Sequence, residues 1–318
     1  MSSTGPVARH PRSEAEERLG GGYGARVLEP SPPTIDEEPW FADDPVNTAA
    51  PSPVVSPVPN GDHTWVELAA TDTGLARWAA DRSLVPAALP PLPDGLVAAR
   101  DALHQVAFYI LAPVRQTANT KIGLRFTMGG FGTPFFGADR QLRVEGLHLV
   151  DQRGMEAIVE PLTTFGAASR QVGVESELSL EGPPRWGDDR GLDVEPEHVA
   201  FFASWFGTVT RVLEVLRFET AELDPSRVQI WPEHFDAAVE IGRADDGRAA
   251  YGGSPGDEDH PEPYVYVAPW SPPAPDEFWN DRAFGGASLG YADLIGLPDP
   301  ALLEFFRKGV SLLGQGRL

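Results

Sequence analysis

The sequence predicts an α+β protein in which antiparallel sheets pack against long amphipathic helices. Three observations predict it. Apolar residues recur at spacings of three and four over two long stretches, 94–118 and 196–216. Each stretch is followed by short runs that alternate with period two. These strand runs come in series rather than alternating regularly with helices, which favours α+β over a doubly wound sheet. The folded region, 63–318, thus divides into two halves, 63–190 and 191–318, that share the order of a long helix and then strands.

The N-terminal segment, 1–62, precedes these elements. It holds eleven prolines, with ten acidic against four basic side chains. Too few large apolar groups are present to offset its ordering entropy, so it reads as a disordered, acidic, Pro-rich tail. Trp40 and Phe41, inside the acidic run Glu37–Asp44, mark it alternatively as a partner-binding arm. Glu14, Glu16 and Glu17 occupy the place a signal-peptide apolar stretch would need, and no window reads as a membrane span. The default compartment is the cytoplasm.

In the first half, Thr64–Leu68 suits a strand or a helical entry, and a short helix follows over 75–82. Asp94 is placed to cap a helix whose face is Leu96, Ala99, Leu103, Val106, Ile110 and Val114. Pro113 is expected to end or kink it. Ile122, Leu124, Phe126 and Met128 then alternate as a strand. A turn at Gly129–Gly132 leads to short strands around Phe135, 142–144, 147–150 and 157–159. Because Pro134-Phe135-Phe136 follows these glycines, they read as a hairpin loop and not as a phosphate cradle, which needs a helix next.

The second half opens with a loop, 182–195. Pro196 starts a helix striped by Val199, Phe202, Phe206, Val209, Leu213 and Leu216. Strands are expected at 227–231, from Phe235 to Ile241, and over 264–267, the last preceded by a turn at 252–257. A helix over 300–313 closes the chain.

Composition removes several function classes. Among 318 residues, 25 Lys+Arg face 47 Asp+Glu, a net charge of −22. That excludes the basic footprint of a nucleic-acid binder and disfavours anionic membrane surfaces. No cysteine is present, hence no disulfide, thiolate nucleophile or cysteine-ligated metal. A small molecule remains as the expected partner. No cofactor and no oligomeric state is specified.

The densest chemistry lies at Trp231–Glu240. Read as a strand, it turns His234, Asp236, Ala238 and Glu240 to one face. A second acidic run, Asp257–Glu262, contains His260. If the flanking strands pair, His234 and His260 join Asp236 and Glu262 as metal ligands, since imidazole with carboxylates suits Zn, Mn or Fe(II). Trp231, Tyr264 and Tyr266 supply an aromatic wall, and Asp257 a turn carboxylate at its edge. The lone His63, His104, His148 and His198 read as surface or helix-flank residues.

The motifs at 231–239 (W-P-E-H-F-D-A-A-V), 253–256 (G-S-P-G) and 261–266 (P-E-P-Y-V-Y), with the closing helix from Asp299, resemble a bacterial family of uncharacterised proteins, a domain of unknown function. The resemblance implies no reaction, cofactor or catalytic residue. It favours Asp236 and Glu262 over His234 as functional positions.

The leading reading is a carboxylate- and aromatic-lined cleft for a small ligand. In a metal-dependent hydrolase reading, Asp236 and Glu262 are catalytic, with His234 and His260 holding the metal. In a third reading the chain is a non-catalytic interaction module.

Overall fold

The structure is a computed structural model that describes residues 55–56, 63–127, 129–136, 140–153, 156–243 and 246–314. The acidic Pro-rich tail lies outside these residues, apart from Val55–Ser56 (β1). That pair runs parallel to His63–Thr64 (β2), so described structure begins before residue 63. The chain then turns into Trp65–Thr71 (α1). Thr64 Oγ1 accepts the Glu67 amide at 3.1 Å, and Glu67 returns the bond to the Thr64 amide at 2.7 Å. This reciprocal cap decides for helix where alternation left strand open. Thr73–Ala80 (α2) follows.

The first long helix is Leu96–Val106 (α3), continued through a π turn, Ala107–Leu111, into Ala112–Asn119 (α4). Gly95, at φ 75°, caps α3 in place of the expected Asp94, whose carbonyl instead accepts from His198 Nε2 at 2.7 Å. Pro113 does not end the helix. The widened turn before it, with the Ala112 amide reaching the Ala107 carbonyl, provides the extra room its ring needs.

Two five-stranded antiparallel meanders form the sheets. The first is Arg125–Thr127 (β3), Gly130–Gly132 (β4), Arg140–Glu145 (β5), His148–Arg153 (β6) and Glu156–Pro161 (β7). Phe165–Val172 (α5) and the long Pro196–Glu219 (α6) separate it from the second. That one is Gln229–Trp231 (β8), Asp236–Arg243 (β9), Asp246–Ser254 (β10), Tyr264–Pro269 (β11) and Ala287–Gly290 (β12). Tyr291–Leu294 (α7) and Asp299–Leu312 (α8) close the fold. The α+β class and the repeated helix-then-strands order are therefore present. Leu124, leading into β3, and Ile230 of β8 exchange both backbone hydrogen bonds at 2.8 Å, so the first strands of the meanders meet edge to edge.

Several expected details differ. Gly130–Gly132 is itself a strand, with only the turn at Gly129 before it; a side chain at Gly130 would strike the Val144 carbonyl. Phe135 lies in the connection after β4 rather than in a strand. Gly252 and Gly253 lie within β10 and not in a turn. The first glycine run thus forms the second strand of its meander, and the other lies in the third strand of its own.

Helix α6 is the core. By length and apolar composition it would qualify as a membrane span, contrary to the sequence reading, but 83% of its apolar window is buried inside the fold. Phe202 and Phe206 on this helix meet Phe235, from the turn between β8 and β9, at ring separations of 6.0 and 5.2 Å. Phe131 of β4 completes the cluster, 5.0 Å from Phe235. One helix thus binds both sheets through aromatic edge contacts. On the second sheet, Ala237, Val239, Tyr251, Val265 and Val267 are all buried. A side chain at Gly253 would meet Val209 and Trp205 of α6, and Gly309 of α8 lies against Val267 and Tyr251. That face belongs to the helices. The opposite face lines a cleft.

Candidate functional site

The floor of the site follows from strand register. Ala238, Gly252 and Tyr266 pair in one row across β9, β10 and β11. Asp236, Ser254 and Tyr264 lie two residues along the same strands and so share the same face. Gly252 leaves the row open: a Cβ there would lie 2.6 Å from the Tyr266 ring and hydroxyl. The Tyr266 side chain therefore lies across β10, and its hydroxyl donates to Asp236 Oδ2.

Asp236 begins β9 directly after Phe235, which holds φ 53° and is buried among the aromatic core. Left-handed backbone at a bulky residue is costly, and the buried ring holds it in place. The chain from Pro232 to Phe235 is a turn, so His234 is not on the strand with Asp236, as the sequence reading had it. It is exposed at the cleft rim. Asp236 itself is 5% exposed. Burial raises its pKa, against the Tyr266 hydrogen bond, which lowers it. Burial, and then the neighbouring Asp236 charge, push the Tyr266 hydroxyl up as well. Asp236 Oδ1 has no hydrogen-bond partner.

Next to this pair, Tyr264 donates to Asp257 Oδ2 at 2.6 Å. Asp257 Oδ1 accepts the amides of Asp259 and His260, a self-bonded turn that presents the His260 ring. His260 Nε2 stands 2.9 Å from Asp281 Oδ2, which also accepts from Ser288 at 2.6 Å. A buried carboxylate thereby orients the imidazole.

Segments distant in sequence form the facing wall. Arg100, His104 and Gln105 come from α3, and Pro183–Arg190 from the loop before α6. Gln105 clamps that loop through the Trp186 amide at 3.0 Å and the Pro184 carbonyl at 3.1 Å, and Tyr109 donates to the Pro183 carbonyl at 2.6 Å. His104 bonds the Pro232 carbonyl at 2.8 Å and stacks on Phe235. Burial lowers its pKa to about 4, so at neutral pH it is an uncharged strut for the turn that places Asp236. His198, at the start of α6, is likewise buried: its Nδ1 accepts the Glu195 amide while Nε2 donates to Asp94. Of the surface or helix-flank placements the sequence allowed, both take a helix, His104 half-buried on α3 and His198 buried in the first turn of α6.

The cleft is open to solvent and has a volume of about 1030 Å³. Of the residues singled out from sequence, Asp236, Asp257, Tyr264, Tyr266, His234 and His260 line it. Trp231 and Glu262 do not; Glu262 is exposed on the segment entering β11. β10 lies between β9 and β11, so the expected direct pairing that would have carried Glu262 toward Asp236 does not form. Among the described residues, no group of three or more His, Asp or Glu side chains is placed to hold a metal ion.

No protein-family model, curated protein or solved structure matches the chain.

Proposed function

We propose that the chain binds a small organic molecule in the cleft between the Asp236–Tyr264–Tyr266 floor and the wall of α3 and Pro183–Arg190. One observation carries this reading. Asp236 Oδ1, Glu233 Oε2, Arg100 Nη1 and His260 Nδ1 are all buried without a hydrogen-bond partner, and all four residues line this cleft. Buried polar groups are normally satisfied, because leaving one unpaired costs about 1–3 kcal/mol. Their concentration in one concave site supports a ligand that supplies donors to the carboxylates and an acceptor to Arg100. The volume suits a metabolite-sized molecule. Glu262, which the metal-dependent reading needs beside Asp236, lies outside the cleft.

A thermal-shift screen of the full chain against a metabolite collection, run beside Ala268→Trp, tests it. Ala268 lines the cleft, on the same face of β11 as Tyr264 and Tyr266, so an indole there fills the site without removing a polar group. Ligands that raise the melting temperature of the wild type and not of the variant support the reading. Ligands that stabilise both proteins equally refute it.

A further inference from the structure

Within the cleft, four aromatic rings form a closed circuit. His260 and Tyr264 have centroids 4.4 Å apart, Tyr264 and Tyr266 5.9 Å, Tyr266 and Phe284 6.0 Å, and Phe284 and His260 6.3 Å. All four residues line the cavity. They come from three segments: the loop after β10, strand β11 and the loop before β12. Asp236, with its unpartnered Oδ1, is bonded to one member of the circuit, and Asp257 to another.

The charge around the circuit has one sign to spare. Six carboxylates and three guanidinium groups line the cleft. Each guanidinium is engaged: Arg100 with Asp101 at 2.9 Å, Arg185 with Glu177 at 3.3 Å, and Arg190 over the Trp186 ring at 3.5 Å. Ring faces carry negative potential and attract cations, most strongly where water is excluded. A carboxylate that is 5% exposed and lacks a partner on one oxygen gains most from a positive donor.

We propose that the ligand is an organic ammonium ion whose cationic group is held by the His260–Tyr264–Tyr266–Phe284 circuit beside Asp236. This rests on the cleft-binding reading and names its ligand class. The ammonium group meets ring faces and carboxylate together, and the remainder of the molecule extends toward Arg100, whose Nη1 takes an acceptor.

Titration calorimetry of the full chain with choline and with n-butylammonium, set against 3,3-dimethyl-1-butanol as the neutral counterpart of choline, tests the proposal. The expected result is binding of an ammonium probe and none of the neutral one. Phe284→Leu keeps apolar volume and removes the ring face, and is expected to weaken the ammonium probe about fivefold or more. Asp236→Asn is expected to weaken it about tenfold or more. If Asp236→Asn does not fold, Phe284→Leu still decides. Equal affinity for the neutral isostere, or no heat from either ammonium probe at millimolar concentration, overturns the proposal. A neutral or anionic compound that binds the wild type and not Ala268→Trp, with no response to ammonium ions, overturns it too while leaving the cleft reading in place.

Discussion

Tyr266 donates its hydroxyl to Asp236 across a strand on which neither residue lies, and Gly252 of that strand makes the reach possible. The bond joins β11 to the start of β9 over the surface of β10, fixing both the floor of the cleft and its most deeply buried carboxyl.

Gly252→Ala is therefore a sharp perturbation. The added methyl would stand 2.6 Å from the Tyr266 ring and 2.9 Å from the Ala237 carbonyl, so both the ring and the strand must move. Overpacking of this kind costs about 1–3 kcal/mol. Urea denaturation should show that loss, together with a change in the Tyr266 environment. A variant as stable as the wild type would mean that Tyr266 does not lie across β10.

Tyr266→Phe removes the donor and leaves the Asp236 carboxyl without any side-chain partner. Because that hydrogen bond lowers the Asp236 pKa against burial, its loss raises the pKa further. The sign follows from linkage: a carboxyl whose folded pKa is raised costs stability as pH rises through that value. The variant is expected to lose about 1–3 kcal/mol where the carboxyl is ionised, and less as pH falls. Denaturation curves over an acid-to-neutral pH series distinguish this from a uniform packing loss, which would not vary with pH.

Phe235→Ala strips the ring that holds a left-handed backbone in place and supports His104, Phe131, Phe202 and Phe206. A loss of about 3–5 kcal/mol is expected from the cavity alone. Asp236 follows directly in sequence, so cleft binding should disappear before global unfolding. Retained binding in a destabilised but folded variant would contradict the placement of Asp236 by this turn.

Two buried groups pull the pH profile in opposite directions. Burial lowers His104 from 6.5 to about 4, so the unfolded chain binds more protons between those values; its contribution is fully present above pH 6.5 and is lost as pH falls toward 4. Burial raises Glu214 from 4.5 to about 7 despite Arg217, Arg227 and Arg125 nearby, so the folded chain binds more protons there. Its contribution is present below pH 4.5 and is lost as pH rises toward 7. Each change corresponds to about 3 kcal/mol at about 1.4 kcal/mol per pH unit, and the windows overlap. Relative to the wild type, His104→Gln should gain stability as pH falls from 6.5 to 4, and Glu214→Gln should gain as pH rises from 4.5 to 7. Chemical denaturation across that range checks both signs.

Much of the fold was legible because it is local. The 3-4 stripe from Val199 to Leu216 marks α6, and the alternation from Phe235 to Ile241 and from Tyr264 to Val267 marks β9 and β11, which placed Asp236, Tyr264 and Tyr266 on strand faces. β10 escaped notice because Gly247, Ala249, Ala250, Gly252 and Gly253 carry almost no strand propensity. Gly253 is small because α6 presses on one side of the strand, and Gly252 because Tyr266 lies over the other. That hidden strand also separated Glu262 from Asp236. The opposite wall, Arg100, His104, Gln105 and Pro183–Arg190, was not legible from local pattern; only tertiary packing carries it to the site. Asp281 could have been suspected as a partner for His260 only once β11 and β12 were known to pair.

Fluorine NMR of the chain labelled with 3-fluorotyrosine shows whether ligand binds at the Asp236–Tyr266 cleft. Tyr264 and Tyr266 line the cleft, while Tyr251 and Tyr291 are buried away from it. On adding a compound that stabilises the protein, the Tyr264 and Tyr266 resonances are expected to shift, those of Tyr251 and Tyr291 to stay fixed, and Ala268→Trp to abolish the response. Shifts confined to Tyr251 or Tyr291, or an unchanged response in Ala268→Trp, would place the ligand elsewhere.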